Sequence, residues 1–382
     1  STALVPQSSK PSHRSTKKHP SKLASNPAKT AIQRVVPQPT GTPEPTRVAI
    51  VEKSLQEKGF SRQVSEAMSH PVRKSTLGVY ENKWKHWTSW YSGRQGDPCN
   101  PTIPQVADFF MYLTTDKKLA TSTIEGYRTT LQNTFRHTDG PDLLESKPLT
   151  DLIKYIAARP AKAKTVPEWN LAFVLTALTQ HPYEPLHKAS LADLTLKTYF
   201  LILLASGRRR SDLLAIDISR TQVETRKKGI FLYPNVGFMP KTTAAAEATK
   251  KTFTPIHLLA LSHSLSVDDP DAFFCPVRAY LAYVKRTKPF RGNRKELFIS
   301  IQENRKTSLS VNTLTGWVKR LITDIYATAH PDTKRLHDIR PHQIRSLATS
   351  LAEASGASLD DIMRAGMWTT HNTFTSFYLT DV

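Results

Sequence analysis

The feature that most constrains this fold is an apolar run that is followed closely by three consecutive arginines. Residues 199–205, "YFLILLA", form the longest strongly apolar run of the chain, and "SGRRRSDLLAID" follows at 206–217. The run is far too short to cross a bilayer, which takes about 20 apolar residues. We therefore expect it to be the most buried helix of a globular core. An arginine just beyond its end, held by Asp212, would be rigid, and a rigid guanidinium binds phosphate through two parallel hydrogen bonds.

The chain carries a large surplus of positive charge. Its 382 residues include 53 Lys and Arg against 32 Asp and Glu, a formal net charge of +21. Lys and Arg release counterions from a phosphate backbone, so this surplus favours nucleic acid as the partner. A soluble basic protein without such a partner is the alternative. Cys99 and Cys275 lie far apart, which disfavours a disulfide framework or a zinc site and favours a reducing compartment. We expect an intracellular, nuclear protein.

Composition and periodicity divide the chain into four parts. The predicted parts are a disordered basic tail (1–46), a helical domain (47–160), a linker (161–169) and a mixed α and β domain (170–382). The tail contains "HRSTKKHP", which is typical of a nuclear-import signal, a DNA tether or an uncommitted basic tail. In the last part we expect two helices before 206, then strands with a turn at Lys228-Gly229, then helices from Pro276 onward.

The helical domain shows clear boundaries and two apolar stripes. Ser61 is a predicted N-cap, and Pro71 ends the segment that it opens. Further helices are predicted at 104–116 and 121–137. One stripe recurs at spacings of four, three and four and is interpreted as core, the alternative being a platform on which bases stack: Tyr80, Trp84, Trp87 and Tyr91. The second places Ile124, Tyr127, Leu131 and Phe135 on one side, with Arg128 and Arg136 largely off it.

A histidine and an arginine lie three residues apart in "RPHQIRSLATS" at 340–350. Pro341 suits the first turn of a helix, and positions three apart share a helical face, so His342 and Arg345 would project side by side at its start. The predicted apolar stripe of this helix is Ile344, Leu347, Ala348 and Leu351. Gly356 suits the C-cap, and "SLDD" at 358–361 predicts the next helix start. An H-x-x-R pair alone is weak evidence for a catalytic site.

Several motifs in a fixed order are more specific than any of them alone. G-x-R-x-x-D-L-L comes first, then H-x-x-R, then "GMWTTHNTFTSFYLTDV", in which Asn372 is a predicted N-cap and Trp368 and Tyr378 lie ten apart. From residue 47 onward the chain resembles the tyrosine recombinase (phage-integrase-like) superfamily. The sequence of these motifs most closely resembles that of the recombinases of DIRS-like eukaryotic retrotransposons. The resemblance implies a mainly α fold with a small β-sheet: a helical core-binding domain followed by a mixed α+β catalytic domain.

The resemblance also implies roles for particular residues. Arg209 matches the first catalytic arginine, with Arg208 and Arg210 on variable positions around it. His342 and Arg345 match the central pair, and Tyr378 matches the nucleophile. Trp368 falls where many relatives carry a second histidine. The family places a lysine on a β-hairpin, for which Lys241 is our choice, with Lys227 and Lys228 as rivals.

These matches predict a site-specific recombinase or integrase, encoded by a mobile element. It would cleave and rejoin double-stranded DNA through a 3′-phosphotyrosine intermediate, as a homotetramer on DNA, without metal, ATP or other cofactor. No membrane and no small-molecule substrate is expected as a partner. A DNA-binding derivative without catalysis and an enzyme like type IB topoisomerases are the alternatives.

Overall fold

The computed structural model describes most of the chain from residue 45 to residue 368. The described ranges are 45–94, 96–158, 168–241, 253–261, 269–300, 308–329, 336 and 339–368. Within them the chain is mainly α-helical with one small antiparallel sheet, which confirms the predicted fold class. It divides into two compact units between Ile156 and Ala157. The predicted linker at 161–169 lies mostly outside the described residues, as does the predicted tail.

Unit 1 is a bundle of helices. They are α1 (Arg47–Glu57), α2 (Arg62–Ser69), α3 (Lys74–Tyr91), α4 (Ile103–Thr115), α5 (Thr121–Thr138) and α6 (Lys147–Ala157), whose last residue follows the boundary. Ser61 caps α2 by accepting a hydrogen bond from Val64 N, and Pro71 follows the helix end, both as predicted. Thr102 and Gln105 form a capping box at the start of α4.

The two predicted stripes form the core of unit 1, with two corrections. Trp84, Trp87 and Tyr91 are buried, and so are all four members of the α5 stripe, but Tyr80 is only half-buried. Arg128, predicted to lie off the stripe, is buried as well: its Nη2 donates to Leu143 O at 2.7 Å and to Thr150 Oγ1 at 2.9 Å. Backbone carbonyls that would otherwise lack donors explain why a cation lies in this interior.

Unit 2 surrounds a central helix. Its helices are α7 (Leu171–Leu178), α8 (Leu191–Ser206), α9 (Arg210–Leu214), α10 (Pro276–Arg291), α11 (Val311–Ala329), α12 (His342–Ala354) and α13 (Leu359–Gly366). The strands are β1 (Gln222–Val223), β2 (Gly229–Leu232) and β3 (Ile256–Leu259), paired antiparallel in that order. The predicted turn spans Glu224 to Lys228, and Gly229 already belongs to β2.

The apolar run at 199–205 lies in α8, as predicted. Ser190 caps the helix, and residues on all of its sides are buried from Leu194 to Leu203. A helix without an exposed face belongs in the middle of a large core. Helices α10, α11 and α12 and strand β3 pack around it. Among the described residues, no helix is both long and apolar enough to span a membrane.

Candidate functional site

The three arginines follow α8 through a sharp change of direction. Gly207 caps the helix in the left-handed conformation, φ 57°, and its N–H donates to Leu203 O. Arg209 is the N-cap of α9, and its carbonyl accepts from Asp212 N at 2.9 Å. A methyl group built on Gly207 would lie 3.8 Å from Thr349 of α12. The segment Gly207–Asp212, called here the arginine segment, therefore begins beside the helix that carries His342 and Arg345.

Consecutive arginines of this segment have different surroundings. Arg208 is only 2% exposed, and its Nη2 donates to Thr254 O at 2.8 Å. Arg209 is half-buried, and Arg210 donates to Thr315 of α11. Arg208 was expected at a variable position beside the site, but its side chain is an interior group. Burial, more than the opposing effect of Asp212, lowers its pKa to about 10.

Asp212 is a fully buried carboxylate among these cations. Burial raises its pKa, while the charges of Arg209, Arg208 and Arg345 oppose that rise. Asp212 Oδ1 accepts from Ser211 Oγ at 3.2 Å. Among the described residues, Asp212 Oδ2, Arg209 Nη1 and Arg208 Nε and Nη1 are buried without a hydrogen-bond partner. Arg209 and Asp212, which were predicted to pair, thus interact electrostatically, without a hydrogen bond between their side chains.

Helix α12 turns a polar face inward. Its buried residues are Gln343, Ile344, Arg345, Ser346, Thr349 and Ser350, while Leu351 is 36% exposed. The predicted apolar stripe was wrong in this respect, and Arg345 lies inside the protein instead of on its flank. Burying polar side chains costs free energy unless they form hydrogen bonds. Thr349 Oγ1 satisfies part of this demand by donating to Arg345 O at 3.0 Å.

Arg345 is held by the last residue of α13 and by a tryptophan just beyond the helix. Its Nη2 donates to Gly366 O at 2.6 Å, and its guanidinium carbon lies 3.9 Å from the centre of the Trp368 ring. This is close stacking of a cation on an indole. Two predicted site residues 23 positions apart, Arg345 and Trp368, are therefore brought into direct contact.

Gly366 makes this contact possible, and the motif search missed it. A methyl group built on Gly366 would lie 1.6 Å from Trp368 Cζ3, so the indole occupies the space of a side chain. Met367 turns the chain with φ 56°, and Trp368 N donates to Met363 O at 3.0 Å. The available signal was the spacing G-x-W after a short helix, in which the aromatic ring folds back over the glycine.

His342 is the first residue of α12 and is exposed. The start of the helix is fixed by Gln343, whose Oε1 accepts from Arg340 N at 3.0 Å and from Trp169 Nε1 at 3.3 Å. Gly356 follows the C-cap with φ 84°, and Ser358 caps α13, both as predicted. His342 and Arg345 thus share one helix, the histidine near solvent and the arginine inside.

The remaining site predictions are less well placed. Lys241 is exposed in the connection between β2 and β3. Its rivals Lys227 and Lys228 are exposed in the turn between β1 and β2. Tyr378 and the predicted N-cap Asn372 lie outside the described residues.

Chemically, the arrangement is a cluster of fixed cations. Arg208, Arg209 and Arg345 all act on one carboxylate, which leaves an excess of positive charge. Arg209 Nη1, which has no hydrogen-bond partner among the described residues, would be satisfied by an anion with several acceptor oxygens. The described part of the chain contains no group of three or more His, Cys, Asp or Glu that could hold a metal ion.

No protein-family model and no curated protein matches this chain. Solved structures do resemble it. The XerA recombinase is 13% identical over 88% of this chain and 94% of its own, with a TM-score of 0.35. A lambda integrase dimer bound to a COC′ core site is 17% identical over 86% and 95%, with a TM-score of 0.48. The Tn1549 transposon integrase in complex with transposon right end DNA is 14% identical over 88% and 96%, with a TM-score of 0.49.

Proposed function

We propose that this chain is a site-specific DNA recombinase or integrase of a mobile element. It would cleave and rejoin double-stranded DNA through a covalent 3′-phosphotyrosine intermediate. The observation that carries the proposal is the convergence of three separate motifs: the arginine segment, the H-x-x-R helix and the Gly366–Trp368 turn. Arg345 contacts Gly366 and Trp368, and it shares the surroundings of Asp212 with Arg208 and Arg209.

The cations suit the charge that develops during phosphodiester cleavage. As a nucleophile attacks, negative charge grows on the non-bridging oxygens of the scissile phosphate. Arg209 and Arg345 would stabilise that charge, at about 3 kcal/mol of the barrier for one donor. Arg345 is held before substrate binds by Gly366 and Trp368, and the backbone of Arg209 is set by its place as the N-cap of α9. Little reorganisation is then needed during the reaction.

The remaining steps are assigned from the motifs. The phenolic oxygen of Tyr378 attacks phosphorus, the bond to the 5′-oxygen breaks, and Lys241 gives that oxygen a proton. A phenol with a pKa near 10 is a weak nucleophile in water, so nearby cations must favour its ionised form. His342 assists proton transfer, and Trp368 packs at the phosphate beside Arg345. The phosphotyrosine bond retains the energy of the broken bond, so rejoining needs neither ATP nor metal.

A nicked suicide substrate tests the proposal directly, because the cleaved fragment diffuses away and the covalent adduct accumulates. The wild-type chain should form an adduct that survives denaturation and disappears after protease treatment. Tyr378→Phe should bind DNA as before and form no adduct, because only the phenolic oxygen is lost.

Tyr326→Phe is the matched control. The Tyr326 hydroxyl accepts from Asn170 N at 2.7 Å, and its loss costs about 1 kcal/mol of stability. That variant should keep the adduct. An adduct in Tyr378→Phe that is lost in Tyr326→Phe would place the nucleophile on α11. Binding without any adduct would favour the DNA-binding derivative, and relaxation of supercoils without site preference would favour the topoisomerase-like enzyme.

A further inference from the structure

Arg208 joins parts of unit 2 that are distant in sequence. Its guanidinium carbon lies 5.0 Å from the centre of the Phe253 ring, and its Nη2 donates to Thr254 O at 2.8 Å. Phe253 in turn packs edge to face on Phe238, with ring centres 5.9 Å apart. Phe238 lies shortly after β2, and Thr254 lies shortly before β3. The two described ends of the β2–β3 connection therefore meet at Phe253, and Arg208 packs against Phe253.

This contact lies between two candidate site residues. Arg208 is adjacent to Arg209 in the chain, and Lys241 is three residues after Phe238. Three residues of chain span at most about 10 Å, so the position of Phe238 limits where Lys241 can lie. Arg208 is among the largest fully buried side chains of the protein. Such a group has little freedom to move without disturbing what it touches.

We propose that Arg208 is a positioning residue that fixes the β2–β3 connection, and with it Lys241, relative to Arg209. The inference rests on the proposed function and adds a coupling between two of its groups, Arg209 and Lys241. Arg209 stabilises charge on the phosphate and Lys241 supplies a proton, and the two groups come from different segments. The Arg208–Phe253–Phe238 contact sets the distance between them.

The choice of leaving atom offers a way to measure the role of Lys241 separately from that of Arg209. In cleavage, the Tyr378 oxygen bonds to phosphorus, the P–O5′ bond breaks, and the Lys241 ammonium protonates the departing oxygen to leave a 5′-hydroxyl and a neutral amine. When sulfur replaces the 5′-bridging oxygen, the P–S bond breaks and a 5′-thiolate departs. A thiol has a pKa of about 8.5 and needs no proton in order to leave. A variant that misplaces only the acid is therefore rescued by sulfur.

The decisive variant is Arg208→Met, which keeps a long stem and removes the guanidinium. Single-turnover cleavage with saturating enzyme is measured on the oxygen and the sulfur substrate. On oxygen we expect a loss of about 10²-fold, the order that a well-placed general acid contributes. On sulfur the loss should shrink to a few-fold. Arg208→Lys can still donate to Thr254 O and should lose less on the oxygen substrate.

Five further variants test the interpretation of this result. Lys241→Met should show the same rescue by sulfur, whereas Arg209→Lys should be slow on both substrates, because its contact is to the phosphate. Arg286→Met removes another arginine of unit 2, one that donates to Leu186 O and Ala189 O, and should match wild type on both. Phe253→Leu and Phe238→Leu leave Arg208 in place, break the contact further along, and should repeat the rescue even where Arg208→Met folds poorly.

Equal losses on both substrates in folded Arg208→Met, or no loss at all, would overturn the inference and leave the proposed function intact. So would a Lys241→Met variant that sulfur does not rescue. A wild-type chain that forms no adduct with either substrate would overturn the proposed function and this inference together.

Discussion

Among single residues, Gly366 has the tightest surroundings of the candidate site. The Trp368 ring lies where a side chain of residue 366 would be, and the Gly366 carbonyl accepts from Arg345. One small residue thus serves both the packing of the indole and the position of the guanidinium. Its backbone is helical, so a methyl group there meets a steric obstacle and no conformational one.

Gly366→Ala should therefore displace Trp368 and weaken the hold on Arg345. We expect the single-turnover cleavage rate to fall by about 10²-fold, as when one stabilising donor is lost, while DNA affinity changes little. Gly316→Ala is the control, since nothing lies within 4 Å of its added methyl group in helix α11. That substitution should leave the rate unchanged and raise stability by up to about 1 kcal/mol. Equal rates in the two alanine variants would contradict the role assigned to Gly366.

Patterns of single residues in the sequence predicted site candidates but not the contacts between them. They identified Arg345 and Trp368 as site candidates, but they could not show that one stacks on the other, because the contact depends on a turn at Met367 with positive φ. Arg128 and Arg208 were expected outside the core, since a charged residue is rarely buried. Both are buried because backbone carbonyls from distant positions accept their N–H groups, a feature that local sequence does not display.

At the scale of elements, the hydrophobic periodicity of the sequence predicted the helices well. It predicted the buried face correctly for some helices and wrongly for others. Helices α4 and α5 lie within one residue of the expected bounds, since a capping box marks the start of α4 and a strong apolar stripe marks α5. Helix α12 was predicted as a helix, but its polar side faces inward. The inward face of α12 carries candidate site residues and breaks the rule that apolar residues point to the core, so hydrophobic periodicity predicts such a face poorly.

One buried ion cluster ties α8 to α10 and was not apparent from the sequence. Glu184 accepts from Lys197 of α8 and, through two parallel bonds of 2.6 and 2.9 Å, from Arg278 of α10. Burial alone would raise the pKa of Glu184, but the hydrogen bonds from Arg278 and Lys197 outweigh it and hold the pKa below its usual value. A cluster of this kind stabilises little as a whole, yet breaking it leaves a buried charge unpaired.

Glu184→Gln should lower the free energy of unfolding by about 3–5 kcal/mol at pH 7, measured by urea titration. Because the folded-state pKa is lowered, the wild-type contribution is present above the unfolded pKa, about 4.3, and is lost as pH falls through the folded value. The gap between variant and wild type should therefore narrow below pH 4. Asp324→Asn removes an exposed partner of Arg320 and should cost at most about 1 kcal/mol. Similar losses in the two variants would show that the buried cluster is unimportant.

At the scale of the whole molecule, the charge of +21 has to be read together with its distribution. Residues 1–44 contain seven Lys and Arg and a single Glu, so most of the surplus belongs to the rest of the chain. A cation contributes to DNA affinity only where it can neutralise a phosphate. Buried arginines such as Arg128 and Arg208 neutralise none from inside the fold. Net charge alone therefore overstates the number of contacts.

Affinity for non-specific duplex DNA should fall steeply with salt, with a slope of about −0.9 per phosphate neutralised. Fluorescence anisotropy between low and physiological salt measures it. A variant with the seven basic tail residues changed to Gln should lose part of that slope and keep most of it. A slope that vanishes in the tail variant would mean that the two units do not bind duplex DNA by themselves.

The burial of α8 on all sides also governs when the candidate site comes into existence. A helix with no solvent face gains its stability from the layers around it and is not stable ahead of them. The arginine segment leaves the end of that helix, and Arg345 belongs to a neighbour packed against it. The cations of the candidate site are therefore brought together only where unit 2 is folded around α8. Under the proposed function, a chain emerging from the ribosome, or one partly unfolded by stress, would therefore lack the groups that cleave DNA.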